Sequence, residues 1–191
     1  SRILAVDTWQ ERWGNTDRVL TEEQNESVAM QTFSGLDLTK RIVEGQAGID
    51  GMTAAKRCWN YQKGGFQWYL PCLMELGVLC AYRDEINKAM KEIGCPDECL
   101  LPTEDSDETW VWSSSEGSQG GSWGVGFSNG DFYGYGKYGS GMVRAVAAFQ
   151  PSPSLLTGEA KSNDCLHSDE ALINMLRERG YKGELTKTLT I

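Results

Sequence analysis

The chain has 191 residues, 40% of them hydrophobic and 24% charged, and a formal net charge of −9. That composition supports a folded core and suits one principal domain of about 150 residues with a small appendage. It excludes nucleic-acid binding through phosphate contacts, which need clustered Lys and Arg. No apolar run approaches the roughly 18 residues of a membrane span, so no membrane insertion is expected.

Residues 1–5 lack the charged leader and long apolar stretch of a signal peptide, which leaves export open. The stretch 1–35 mixes short β-type runs, Ile3-Leu4-Ala5-Val6 and Ser27-Val28-Ala29-Met30, with polar loops carrying Trp9 and Trp13. It is expected to join a main domain at 36–149. From Asp37 the pattern turns helical: Asp37 can cap a short helix through Ile42-Val43, and Asp50 a second. In the second, Ala54, Ala55, Cys58, Trp59 and Gln62 form a core-facing stripe, and Gly64-Gly65 ends it. An aromatic strand follows at 66–71, stopped by Pro71. Leu73, Leu76, Val78, Leu79 and Tyr82 mark a further helix, continued by Ile86, Ala89, Met90 and Ile93 to Gly94. Residues 95–108 form an acidic, Pro-containing loop.

Six cysteines are too few for a disulfide scaffold of this length. Cys58, Cys72 and Cys80 sit among apolar neighbours, where a thiol behaves as a small hydrophobe. The Cys95–Cys99 spacing admits half a zinc site or a disulfide. The sole histidine, His167, lies in another segment, so free loop thiols are preferred, with no metal and no cofactor.

Trp110-Val111-Trp112-Ser113-Ser114 is strand-like, and Trp123-Gly124-Val125-Gly126-Phe127 alternates bulky and bare positions. Asn129-Gly130 signals a hairpin. Residues 132–138 and 142–149 complete an antiparallel set. Residues 150–167 read as a linker. Residues 168–191 read as a helix–strand tail, with Ser168 as cap and a terminal strand at 184–191; it is too small to fold alone.

Between residues 115 and 142 glycine occurs ten times among Ser, Tyr and Phe. Trp112, Trp123, Val125, Phe127 and Val143 recur where a strand would bury them, which places the small and polar residues on the opposite, solvated face. A Tyr/Ser/Gly face has the composition of an antibody paratope, with broad aromatic contact and adaptable hydrogen bonding. The contact residues expected on this reading are Ser115, Ser118, Gln119, Ser122, Gly124, Gly126, Ser128, Phe132, Tyr133, Tyr135, Tyr138 and Ser140. Arg144, between Val143 and Ala145, is expected to point away from the side that buries Val143 and to hold the fold through a carboxylate or backbone carbonyls.

Five short motifs occur in order. They are Trp68-Tyr69-Leu70-Pro71 with Glu75-Leu76; Trp112-Ser113-Ser114-Ser115-Glu116; Trp123; Phe127-Ser128-Asn129-Gly130; and Val143-Arg144-Ala145-Val146 before Phe149. Together they resemble a bacterial and phage family patterned W-x-LP…EL…WSS-[ST]-E…W…F-x-NG…VR-x-V-x-x-F. The resemblance covers about 36–149 and departs at Cys72, where the family often has Ser or Thr, and in the tail after Gln150. It implies an α+β, C-type-lectin-like fold with two helices and a small twisted antiparallel sheet, related to the formylglycine-generating enzyme. Several members of the family are targets of diversity-generating retroelements, which mutate adenines and so randomise the ligand-binding face. Randomised adenines in an AAC-type codon give Gly, Ser, Tyr, Phe, Asp and Asn, which suits most of 115–142. Lys137 and Met142 do not fit that account.

The resemblance thus implies a non-catalytic receptor- or ligand-binding protein for a protein or glycan on a target surface. A virion tail or bacterial cell surface is the expected setting, with cytoplasmic assembly and homo-oligomerisation left open. The alternative is a structural virion or surface-assembly component without its own ligand. A formylglycine-generating enzyme needs a C-terminal catalytic cysteine pair, whereas residues 100–164 contain no cysteine and Cys165 stands alone beside His167. Calcium-dependent sugar binding needs converging oxygen ligands. The acidic run 104–108 reads more simply as a solvated loop.

Overall fold

The computed structural model describes residues 2–14, 17–48, 50–104 and 110–148. The chain divides into two compact units, Ser1–Phe149 and Gln150–Ile191, and all described residues fall in the first. The expected linker, the helix–strand tail, Phe149, Cys165, His167 and most of the acidic run therefore lie outside the described residues.

Five α-helices and eight strands are described. In chain order they are β1 (Arg2–Leu4), β2 (Trp9–Arg12), α1 (Glu26–Ala29), α2 (Gly35–Gly45), α3 (Ala54–Trp59), β3 (Trp68–Tyr69), α4 (Leu73–Ala81), α5 (Arg83–Glu92), β4 (Trp110–Glu116), β5 (Gly121–Gly126), β6 (Phe132–Gly136), β7 (Ser140–Val143) and β8 (Val146–Ala148). The class is α+β. The strands form a three-stranded sheet, β1-β8-β3, and a five-stranded sheet, β2-β7-β4-β5-β6. The expected two helices and single antiparallel sheet are thus corrected to five α-helices and two sheets, and two departures among the strands have local causes. Residues 142–149 do not run as one strand, because the chain leaves one sheet at Val143 and enters the other at Val146. The β4–β7 pair is parallel, since β7 returns beside β4 after the β5–β6 hairpin.

Residues 27–30 are helical, not extended: Asn25 caps α1 by accepting the Val28 amide at 3.0 Å. Asp37 lies inside the first turn of α2 and does not cap it; α2 starts at Gly35. Gly35 is required by a close approach, because a Cβ there would lie 2.2 Å from Glu75 Oε2. Asp50 likewise does not cap α3, which begins after Thr53.

Side-chain alternation puts a core on each face of the five-stranded sheet. Trp110, Trp112 and Val143 face a core with Trp13, Ile42, Ala55 and Cys58. Val111 and Val125 face Leu73 and Leu76 of α4, with Phe132, Met142 and Trp123 packed alongside. The N-terminal strands close both sheets, β1 on β8 and β2 on β7.

Arg144 sits at the crossing between the sheets and is wholly buried. Its Nη1 donates to the Ala5 and Val6 carbonyls, both at 3.0 Å, and its Nη2 to the Cys99 carbonyl at 2.6 Å. Burial pushes its guanidinium down to about 10, opposed by the nearby Cys99 and Asp7, so it stays charged near neutrality. This is the expected fold-holding arrangement, with backbone carbonyls as the partners.

Cys58, Cys72, Cys80, Cys95 and Cys99 are free. Burial pushes the Cys58 thiol far up and the Cys72 thiol up to about 11. Both should resist alkylation in the folded protein, because the thiolate is the nucleophile. Peptide mapping after native maleimide treatment should find Cys95 and Cys99 modified ahead of them. Early modification of Cys58 would contradict its placement.

Candidate functional site

Most residues of the family-like motifs lie in the scaffold, and those at 69–75 and 113–116 are held there by specific bonds, whereas Asn129 and Gly130 are exposed. The register of β4 on β5 shifts between Trp112 and Glu116, so the serine run bulges toward α4. There the Ser113 carbonyl accepts the Trp13 indole N–H at 2.8 Å, and the Ser114 amide donates to the Pro71 carbonyl at 2.8 Å. Ser115 Oγ accepts the Leu73 amide at 3.1 Å, satisfying a donor at the buried start of α4. Glu75 caps the same helix by accepting the Cys72 amide at 3.1 Å and the Tyr69 hydroxyl at 2.9 Å.

The last motif residue of β4, Glu116, forms a wholly buried ion pair with Lys137 at 2.7 Å. Lys137 Nζ also donates to the carbonyls of Gln119 at 2.8 Å and Arg18 at 3.1 Å. Its ammonium lies 4.9 Å from the centre of the Trp13 ring. Glu116 in turn accepts the Leu20 amide at 2.9 Å and the Thr21 hydroxyl at 2.6 Å. Three segments, 18–21, 116–119 and 137, are thereby tied together. Lys137 and half-buried Met142 are internal residues, which accounts for their standing apart from their Gly/Ser/Tyr surroundings.

Four of the expected contact residues are buried and must be withdrawn from the accessible surface: Ser115, Ser122, Gly124 and Gly126. Ser115 is occupied by α4, and Ser122 Oγ donates to the Ser115 carbonyl at 2.7 Å. The two glycines do face away from Val125, as alternation requires, but that side is not solvated. Aromatic rings lie across it: a Cβ on Gly124 would come within 3.1 Å of the Trp110 ring, and one on Gly126 within 3.3 Å of the Tyr133 ring. Tyr135, also expected in solvent, is half-buried and stacks on Trp110 with ring centres 4.0 Å apart and planes 16° from parallel. Bare glycine backbone makes room for this aromatic layer.

Ser118, Gln119, Tyr133, Tyr138 and Ser140 are exposed, while Ser128 and Phe132 are half-buried. Ser118 and Gln119 occupy the β4–β5 turn, Tyr138 the β6–β7 turn, and Ser140 opens β7 just after it. These turns meet at one end of the sheet, where the Lys137 amide donates to the Gly120 carbonyl at 3.0 Å. Tyr133 projects near the other end of β6, where its hydroxyl donates to Asp131 at 2.8 Å and accepts from Asn129 at 3.0 Å. Partial desolvation and the neighbouring Asp17 carboxylate raise the Tyr138 phenol, keeping it neutral.

Beside the meeting turns lies an open cleft of about 360 Å³, lined by Gly117, Ser118, Gly120, Gly121, Trp123 and residues 134–136. Trp123, expected to be largely buried, is half-buried: it packs against the core under α4 and also walls this cleft. Residue spacing alone does not mark the cleft glycines or the Glu116–Lys137 pair as site residues. One signal was available: a lone lysine within a glycine-rich stretch. Among the described residues, no group of three or more His, Cys, Asp or Glu side chains gathers into a metal site.

The described residues thus define an α+β protein whose accessible turns are mounted on a densely bonded scaffold. No protein-family model matches the chain, and no curated protein matches it. Among solved structures, a fimbrial protein from Bacteroides ovatus aligns with a TM-score of 0.48 and 15% identity, over 78% of this chain and 35% of that one. The likeness is distant.

Proposed function

We propose that this chain is a non-catalytic binding protein that presents Ser118, Gln119, Tyr133, Tyr138 and Ser140 on a C-type-lectin-like scaffold. One observation carries the reading. Within 115–142 the buried residues of the family-like motifs, Ser115, Glu116 and Phe127, hold the scaffold together, whereas exposed Ser118, Gln119, Tyr133, Tyr138 and Ser140 lie outside those motifs. A surface that varies must be separated in this way from the bonds that maintain the fold. Tyrosine and serine suit the task, giving contact area at low entropy cost and adaptable hydrogen bonding.

On this reading the exposed positions are diversified by a retroelement, and the setting is a virion tail or a bacterial cell surface. The ligand is a protein or glycan on a target surface. Sequencing the encoding locus tests the diversification. The expected result is a neighbouring reverse transcriptase and a near-repeat of the segment that differs at adenines. Differences should fall on the codons for Ser118, Tyr133, Tyr138 and Ser140, and spare those for Trp112, Glu116 and Lys137. A locus with no such repeat, or one whose differences fall on the buried codons, would overturn it.

A further inference from the structure

We propose that the glycine-floored cleft beside Trp123 is a subsite for one neutral sugar ring; this rests on the binding reading above and names the ligand class for one part of that surface. Cross-strand pairing of Trp123 with Gly134, and of Gly121 with Gly136, places these four residues on one face of the sheet. A Cβ added at Gly120, Gly134 or Gly136 would meet nothing within 4 Å. The space is therefore real and is kept by the absence of side chains. Its volume of about 360 Å³ falls in the range of small-ligand sites.

The wall is fixed in advance. Trp123 Nε1 donates to the Gln24 carbonyl at 2.7 Å, and the indole edge lies against Gly117, whose added Cβ would be 3.2 Å from that nitrogen. The indole's one donor is thus used, and what it offers a ligand is ring surface. The negative face of an aromatic ring attracts the polarised C–H groups of a sugar. The Gly117 and Gly121 N–H groups and the Gly120, Gly121 and Gly136 carbonyls bond within the chain; the peptide groups offered to a ligand are those on the open side of the edge strand β6, at exposed Gly134, with the Ser118 hydroxyl nearby.

That combination selects among occupants. A purely apolar group would strip water from the peptide groups without replacing their hydrogen bonds, which is unfavourable. A ring carrying hydroxyls can donate and accept along one edge while stacking its C–H face on Trp123. No charged side chain lines the cleft, although the chain as a whole carries −9. A sialic or uronic acid would find no cation there, so the ring is neutral.

The test is a titration of the full ¹⁵N-labelled chain, followed by NMR. The probes are glucose, galactose, mannose, N-acetylglucosamine and N-acetylgalactosamine. N-acetylneuraminic acid and N-acetyltryptophanamide serve as contrasts. At least one neutral sugar should saturably shift the Trp123 indole N–H together with the Gly134 and Gly136 amides. Gly134→Val fills the cleft with a strand-favouring side chain and should weaken that sugar about tenfold or more. Its melting midpoint should stay unchanged, and Gly136→Ala serves if the valine variant does not fold. The proposal fails if no neutral sugar moves these resonances, if the acid or the tryptophan amide moves them in preference, or if filling the cleft leaves sugar binding intact. Should target-cell capture depend on Tyr133 and Tyr138 while every sugar fails, the cleft proposal falls and the binding reading stands.

Discussion

Replacing Trp112 by alanine is expected to lower the unfolding free energy by about 3–5 kcal/mol. The indole is fully buried and packs edge-on against Trp110, with ring centres 4.1 Å apart and planes at 87°. Its neighbours come from several elements, including Ile42 of α2, Ala55 of α3 and Val143 of β7. They cannot collapse together into the space an indole leaves, so a cavity persists. The substitution also removes the donor at 3.0 Å from the Glu11 carbonyl in β2. Urea unfolding followed by circular dichroism measures the loss, and a change below about 1 kcal/mol would contradict the core assignment.

Lys137→Ala is expected to cost a similar amount, about 3–5 kcal/mol, for a different reason. It leaves the Glu116 carboxylate buried without its counter-charge and frees the Gln119 and Arg18 carbonyls. Glu116 keeps three donors from Leu20 and Thr21, which limits the damage without neutralising the charge. The double variant Glu116→Gln/Lys137→Met keeps an acceptor for those donors and removes both charges. It should therefore be less destabilised than Lys137→Ala alone. A double variant as unstable as the sum of its two single replacements would show that the pair is not coupled.

Much of the fold could be read from residue spacing. The alternation Trp123-Gly124-Val125-Gly126 placed Val125 in a core, and Asn129-Gly130 marked the turn between β5 and β6, where Gly130 adopts a φ of +77°. What periodicity could not supply was the environment of the second face. Alternation separates two sides of a strand but does not say whether the other side meets water or an aromatic layer. Gly124 and Gly126 look solvent-facing along the strand, and only the packing of Trp110 and Tyr133 across strands shows otherwise. Ser115 and Ser122 illustrate the same limit: hydroxyls that suit a paratope equally suit a buried helix start and a bulged carbonyl. Ser118, Gln119, Tyr133, Tyr138 and Ser140 remain accessible because they lie in turns or at the sheet's margin. The split of 142–149 between two sheets turns on Arg144, whose four carbonyl partners come from segments remote in sequence.

The central claim, that accessible tyrosines bind while the buried motifs only support, is tested by pairing capture with stability for Tyr133→Ala/Tyr138→Ala. Fluorescently labelled wild-type and variant chains would be applied to a panel of bacterial strains and counted by flow cytometry, with unfolding midpoints measured in parallel. Tyr138 is 53% exposed, so its change should alter stability by no more than about 0.5 kcal/mol, whereas Tyr133, 38% exposed with its ring over Gly126, should cost about 1 kcal/mol, leaving the variant folded. Loss of an aromatic anchor commonly costs about 2 kcal/mol or more at an interface, so capture by the strains that bind the wild type should largely disappear. A variant that unfolds early, or one that captures the same strains as the wild type, would contradict the account.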